Sequence, residues 1–311
     1  MQHLISLKDW STDEITAILD LADAVKTAPE NYRDAMQRRM LVMIFEKPSL
    51  RTRVSFETGI CQMGGNAIFY DMATSPLAAG KETIADMVKV LSRYADLLMA
   101  RLFEHRHMKE LAANAEIPVI NGLTNFNHPC QVLADLQTIR EKKGPLAGLT
   151  LAYLGDANNN VTHSLLYGCS KVGITVSIGC PADPSASPLP AVVADATAAG
   201  RATGAEVVVT HDPAEAVAGA DVVYTDSWMS YHIPKSQMAQ RVRQFMPYQV
   251  SAKLMALAAA DAIFMNCLPA MRGYEQAAEV IDGPQAVVFD QAENRLHAQK
   301  AVMLRLLGKA A

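Results

Sequence analysis

The chain has no cysteines at metal or redox spacing: its five, at 61, 130, 169, 180 and 267, are scattered and odd in number. That argues against a disulfide framework or a zinc site, and for reduced thiols in a cytoplasmic enzyme. No apolar run approaches the roughly 18 residues of a membrane helix, and Met1–Trp10 lacks an apolar core of signal-peptide length. Positive charge is not in excess. With 28 Lys and Arg against 32 Asp and Glu, a net charge of −4 gives no general attraction to nucleic acid or an anionic membrane. Any basic site must therefore be local. No Gly-x-Gly-x-x-Gly follows the first strand of either half, and no Walker Gly-x-x-x-x-Gly-Lys is present, so a nucleotide is not the default ligand. The stretch Gly155-Asp156-Ala157-Asn158-Asn159-Asn160 lacks the glycines a pyrophosphate loop needs. Internal repeats, coiled coils and low-complexity tracts are missing as well.

What is present is an alternation of short apolar runs and amphipathic segments. At 311 residues, half of them hydrophobic, the chain is long enough for two domains with a core each. Ser11 and Glu14 form the capping-box pattern of a first helix. Strands are expected at 41–45, 66–70, 96–100 and 118–122, with helices after the first strand and over 82–94, 104–114 and 128–143. Gly144-Pro145-Leu146-Ala147-Gly148 marks the expected boundary. Beyond it the alternation restarts, with strands at 149–154, 175–180, 206–210, 221–225, 262–266 and 287–290 and a closing helix over 293–308. Such alternation predicts an α/β protein of two domains, each a mainly parallel sheet flanked by helices, with ligands at the carboxyl ends of the strands.

One stretch organises the first half: Phe45-Glu46-Lys47-Pro48-Ser49-Leu50-Arg51-Thr52-Arg53-Val54-Ser55-Phe56-Glu57. It follows an apolar strand and runs into helical spacing, which places Ser49, Arg51 and Thr52 at a helix entrance. Unpaired N–H groups and a partial positive charge there suit an anion, and the Arg51 fork can grip phosphate at two oxygens. The plainer reading is a capped surface helix with solvated arginines. Arg101, His128, Gln131, Asp156, Asn160, Asp226 and Cys267 likewise follow expected strands or open helices. Each has a plain reading too: a surface arginine, a histidine cap with a solvated glutamine, a helix N-cap at Asn160, a turn aspartate at Asp226 and a buried inert thiol at Cys267.

Ser49-Leu50-Arg51-Thr52-Arg53 resembles the carbamoyl-phosphate signature of the aspartate/ornithine carbamoyltransferases, usually Ser-Thr-Arg-Thr-Arg. Arg101, His128-Pro129-Cys130-Gln131, Cys267-Leu268-Pro269 and Glu293-Asn294-Arg295-Leu296-His297 match further family segments in the same order over nearly the whole chain. The resemblance implies a carbamoyl-phosphate-binding domain (1–143), an amino-acid-binding domain (144–292) and a C-terminal helix (293–311) that packs back on the first. It assigns Ser49, Leu50, Arg51, Thr52, Arg101, His128, Gln131, Cys267, Leu268 and Arg295 to carbamoyl phosphate. Asn160, Asp226, Ser230 and Tyr231 go to ornithine, and Arg101, His128 and Cys267 to catalysis. It implies direct transfer to the side-chain amine of L-ornithine, giving citrulline and phosphate in arginine biosynthesis, with no metal or cofactor and with a homotrimer or multiple of trimers. No sequence neighbour offers Cys267 a base, so it is expected to position the amine.

The chain departs from the family at Leu50, at Leu77, at Tyr231-His232 in place of Met-Gly after Ser230, and at Asn266 where the family has His. The aspartate branch's Pro-Gly-Pro is missing. These departures keep two alternatives open: another amine, such as an N-acylornithine or putrescine, and a non-catalytic homologue that binds carbamoyl phosphate.

Overall fold

The structure, a computed structural model, describes residues 2–76, 80–229 and 233–309. Leu77, Ser230, Tyr231 and His232 lie outside the described residues. The chain folds as two compact units, residues 1–137 with 293–311 and residues 138–292.

In the first unit α1 (Thr12–Thr27) carries the expected capping box: Ser11 accepts from the Glu14 N–H, and the Glu14 side chain accepts from the Ser11 N–H. There follow β1 (Met40–Phe45), α2 (Leu50–Gln62), β2 (Asn66–Asp71), α3 (Ile84–Leu91), β3 (Leu97–Arg101), α4 (His105–Asn114), β4 (Val119–Leu123) and α5 (Pro129–Lys143). The helix expected over 82–94 is shorter because Thr83 caps it, its hydroxyl accepting from the Asp86 N–H. The four strands are parallel in the order β2-β1-β3-β4. All of β3 and β4, and β1 beyond Met40, is buried, which is why they read as continuous apolar runs rather than as alternation. Val42, Ile44, Leu98 and Ala100 pack with Met87, Val88, Met108 and Leu111 in one cluster. Strand order reverses between β1 and β3, and a crevice opens beyond the carboxyl ends of strands at such a point.

The second unit contains β5 (Thr150–Leu154), α6 (Asn160–Lys171), β6 (Thr175–Gly179), α7 (Pro190–Thr203), β7 (Val207–Thr210), α8 (Pro213–Val217), β8 (Val222–Thr225), α9 (Met238–Phe245), α10 (Ala252–Met255), β9 (Ile263–Met265) and α11 (Ala278–Ile281). Its five strands are parallel in the order β7-β6-β5-β8-β9, so the reversal lies between β5 and β8. Leu154, Val223 and Phe264 pack with Val217, Val250 and Ile281 beneath the sheet.

The strand expected over 287–290 is not formed. Phe264 pairs with Ala286 in a single bridge, and the Gln291 N–H already reaches the Val287 carbonyl at 2.9 Å. The last helix, α12 (Val288–Leu306), therefore begins five residues before the expected 293. Its start is apolar in composition, yet Phe289 is 73% exposed on the first turn and lines no core. From Glu293 onward α12 packs against the first unit, as expected. Gly59 of α2 permits the approach, since a Cβ there would meet Lys300 Cγ at 3.3 Å and Leu296 Cδ1 at 3.4 Å.

Candidate active site

In the first unit, the turn after β1 delivers Ser49 as the N-cap of α2, its hydroxyl accepting from the Thr52 N–H at 3.2 Å. Leu50, Arg51 and Thr52 form the first turn, where backbone N–H groups lack intrahelical partners and carry partial positive charge. The Leu50 side chain points to solvent (74% exposed), so what it brings to this turn is its backbone. Arg101 ends β3, level with Phe45 in the sheet register, and therefore stands on the other side of the β1/β3 reversal.

Thr52 links the cluster. Its hydroxyl accepts from Arg101 Nη1 at 3.4 Å and from Arg295 Nη2 at 3.3 Å. Arg295 also donates through Nη1 to the Gln131 carbonyl at 2.7 Å, and the Gln131 amide donates to Asp135 at 2.8 Å. The Gln299 amide, turned so that its neighbours are satisfied, accepts from Arg295 Nε at 3.1 Å and Nη2 at 2.8 Å and donates to Ser55. A guanidinium held at so many points is fixed in direction, so an anion meeting it costs little reorganisation. His128 enters through a turn in which the Thr124 hydroxyl accepts from the Phe126 and Asn127 N–H groups. It precedes Pro129, a residue suited to the first turn of a helix. Burial, then Arg295, Arg101, Lys47 and Arg51 in turn, hold its imidazole well below the usual histidine range. His128 is thus a neutral hydrogen-bonding group among four cations.

Lys47 was part of the motif but was given no role in the sequence reading. It is buried, with its ammonium 4.6 Å from the centre of the Phe103 ring. Burial and the neighbouring Arg101 push it down to about 8, although Glu46 pulls the other way. Its position directly after the β1 strand, on the same turn as Ser49, was the available signal.

In the second unit, the loops after β5 and β8 flank the strand reversal. The N-cap of α6 is Asn159, whose side chain accepts from the Val161 and Thr162 N–H groups, so the capping reading of Asn160 is wrong by one residue. Asn160 is the first residue of the helix and half-buried. Asp226 follows β8 and is buried. The Cys267 thiol donates to Asp226 Oδ1 at 3.1 Å, a partner that no sequence neighbour of Cys267 revealed. Asn266 shapes the turn: its side chain accepts from the Leu268 N–H at 2.8 Å and donates to Gln276 at 3.2 Å. Leu268 sits in the left-handed region at φ 55°. Asp156, after β5, pairs with Arg241, yet burial pushes its carboxyl up to about 6. Asp226 adds to that rise and to the rise of Glu275, so three carboxylates stand near one another at this end of the sheet, one of them paired with Arg241.

Among the described residues no cluster of three or more His, Cys, Asp or Glu side chains is arranged to hold a metal ion. No described helix is long and apolar enough to cross a membrane.

Residues 2–141 match the carbamoyl-P binding domain of the aspartate/ornithine carbamoyltransferases, and residues 147–306 match the family's Asp/Orn binding domain. The chain belongs to the aspartate/ornithine carbamoyltransferase family. The expected two-domain α/β fold and carbamoyltransferase class hold. An ornithine carbamoyltransferase from Methanothermobacter thermautotrophicus is 50% identical over 309 residues, covering 99% of each chain. A catabolic ornithine carbamoyltransferase from Halobacterium salinarum is 47% identical, covering 99% of this chain and all of its own. Among solved structures, the ornithine carbamoyltransferase from Pyrococcus furiosus superimposes with a TM-score of 0.94 at 43% identity, covering 99% of this chain and 97% of that one. The chain covers at least 97% of the length of each of these relatives.

Proposed function

We propose that this carbamoyltransferase moves the carbamoyl group of carbamoyl phosphate to the side-chain amine of L-ornithine, giving L-citrulline and phosphate. Donor binding is assigned to residues 1–143 with the helix from 293, and acceptor binding to 144–292. The observation that carries the donor reading is the shared Thr52 hydroxyl, with Arg101 and Arg295 braced on it at a helix N-terminus. Ser49, Leu50, Arg51 and Thr52 would hold the phosphate through backbone N–H groups, hydroxyls and the Arg51 fork. Arg101 and the neutral His128 would stabilise charge on the carbonyl oxygen, with Gln131 orienting the carbamoyl amide and Arg295 meeting the anion. The neutral amine attacks the carbonyl carbon, the tetrahedral intermediate collapses as the C–O bond to phosphate breaks, and the amine's surplus proton leaves with the phosphate as hydrogen phosphate. Because the leaving group is already activated, orientation and preorganised charge carry the catalysis.

For the acceptor, Asp226 would take the α-ammonium and Asn160 the α-carboxylate, with Ser230 and Tyr231 closing over the side chain. Cys267 and Leu268 would lie beside the reacting groups. The concentration of carboxylates around Asp226 supports a cationic acceptor over an acidic one. A diamine offers the half-buried Asn160 no carboxylate and so loses a charge-assisted hydrogen bond, worth about 1.5–3 kcal/mol. Ornithine is therefore expected to exceed putrescine by at least about tenfold in kcat/KM. N-acetylornithine lacks the charge Asp226 meets and is expected to be poor. Phosphate release measured across ornithine, putrescine, N-acetylornithine and aspartate tests this. Equal or better turnover with another amine would remove ornithine and leave the class intact. Arginine biosynthesis, a homotrimer or multiple of trimers and the cytoplasm complete the proposal, the last supported by five free cysteines.

A further inference from the structure

Glu275 is 1% exposed, and its two oxygens serve two different chain segments. Oε1 accepts from the Trp228 N–H at 3.2 Å, two residues beyond Asp226. Oε2 accepts from the Met271 N–H at 3.0 Å, four residues beyond Cys267. The far side of the Trp228 peptide is held as well: its carbonyl accepts from Arg241 Nε at 2.6 Å, while the other end of that guanidinium meets Asp156. The indole is buried against Phe245, with ring centres 5.9 Å apart. Trp228 therefore has little freedom; the β8–β9 ladder stops at Tyr224 and Met265, and beyond its end the Glu275 carboxylate links the Trp228 segment to the turn after Cys267.

We infer that Glu275 is a positioning residue, a staple that fixes the segment bearing Asp226 against the segment bearing Cys267 and thereby sets the thiol–carboxylate contact at the acceptor site. The inference rests on the reading of Asp226 as the acceptor's partner. Ionised, Glu275 offers an acceptor to both N–H groups. A glutamine of the same shape satisfies one and turns an N–H₂ toward the other, so the staple opens on one side. An aspartate keeps the charge but is one methylene shorter, and is expected to lose the same span.

Glu275→Gln and Glu275→Asp are compared with the wild-type chain by thermal melting, steady-state kinetics and iodoacetamide labelling of Cys267 followed by peptide mass spectrometry. In Glu275→Gln the KM for ornithine is expected to rise about tenfold, with the KM for carbamoyl phosphate within about twofold of wild type. Labelling of Cys267 is expected to quicken in both variants, because the thiol is no longer held on Asp226. If Glu275→Gln melts too low to assay, Glu275→Asp supplies the same readouts. Unchanged ornithine KM and labelling rate would overturn the staple, as would an equal rise in both KM values tracking a fall in Tm. If wild-type enzyme fails to use ornithine, the acceptor reading falls, and the labelling rate still decides the staple by itself.

Discussion

The Cys267 thiol donates a hydrogen bond to the carboxylate of Asp226 across 3.1 Å, from a turn 41 residues further along the chain. The thiol is thereby a partner of the carboxylate proposed to meet the acceptor's ammonium. Cys267→Ser keeps a donor at that place on a shorter bond, and Cys267→Ala removes it. Serine is expected to lose part of kcat and alanine more, with ornithine KM rising in both, as initial-rate kinetics would read. A carbamoyl-thioester trapped on Cys267 would overturn direct transfer.

Thr52→Val removes the hydroxyl that accepts from both Arg101 and Arg295. Losing the hydrogen bonds that Arg101 and Arg295 make to it is expected to cost about 1–3 kcal/mol of stability and to weaken carbamoyl phosphate binding. Chemical denaturation and calorimetry measure the two effects separately.

Arg51→Ala is expected to weaken carbamoyl phosphate binding with little change in stability, since Arg51 is half-buried at the helix mouth. Arg51→Lys restores charge without the planar fork and is expected to recover only part of the affinity. Wild-type donor affinity in Arg51→Ala, read by calorimetry, would exclude the residue from the site.

Lys47 gives the donor site a pH dependence with a definite sign. Burial holds its ammonium down to about 8, so the charge is present below that pH and is lost as pH rises through it. Carbamoyl phosphate affinity is expected to fall above pH 8, by up to about tenfold per pH unit if the full charge is needed. Calorimetry across this range on wild type and Lys47→Met checks it: the methionine variant is expected to bind weakly and without the break. His128, already held well below its usual range, is expected to add no step near neutrality.

Gly155→Ala tests the second unit. Gly155 has φ +115°, and a Cβ there would lie 2.8 Å from the Trp228 indole nitrogen. Alanine must both strain the backbone and displace the ring. Loss of thermal stability is expected, together with a rise in ornithine KM that the KM for carbamoyl phosphate does not share.

Much of this was legible from the chain. The run Leu41–Phe45, the turn at Pro48-Ser49 and the spacing of Phe56 and Ile60 mark strand, turn and helix, because buried parallel strands carry apolar residues on both faces. Residues at strand ends were found for the same reason. The capping of α6 was misplaced by one residue because Asn158, Asn159 and Asn160 are chemically alike, and only the backbone decides which one caps. Val287-Val288-Phe289 has strand composition, but β9 is three residues long and leaves one bridge for it to extend. The pairs Cys267–Asp226 and Arg241–Asp156 join positions 41 and 85 residues apart, and no local period encodes such contacts.

The helix that returns to the first unit also sets an order of construction. Arg295 and Gln299 are translated only after all of residues 138–292, whereas Ser49, Thr52, Arg101 and His128 have long since left the ribosome. The anion-binding cluster around Thr52 is thus completed last, so a nascent chain halted before Arg295 holds Ser49, Thr52, Arg101, His128 and Gln131 but lacks Gln299 and the guanidinium that ties Thr52 to Gln131.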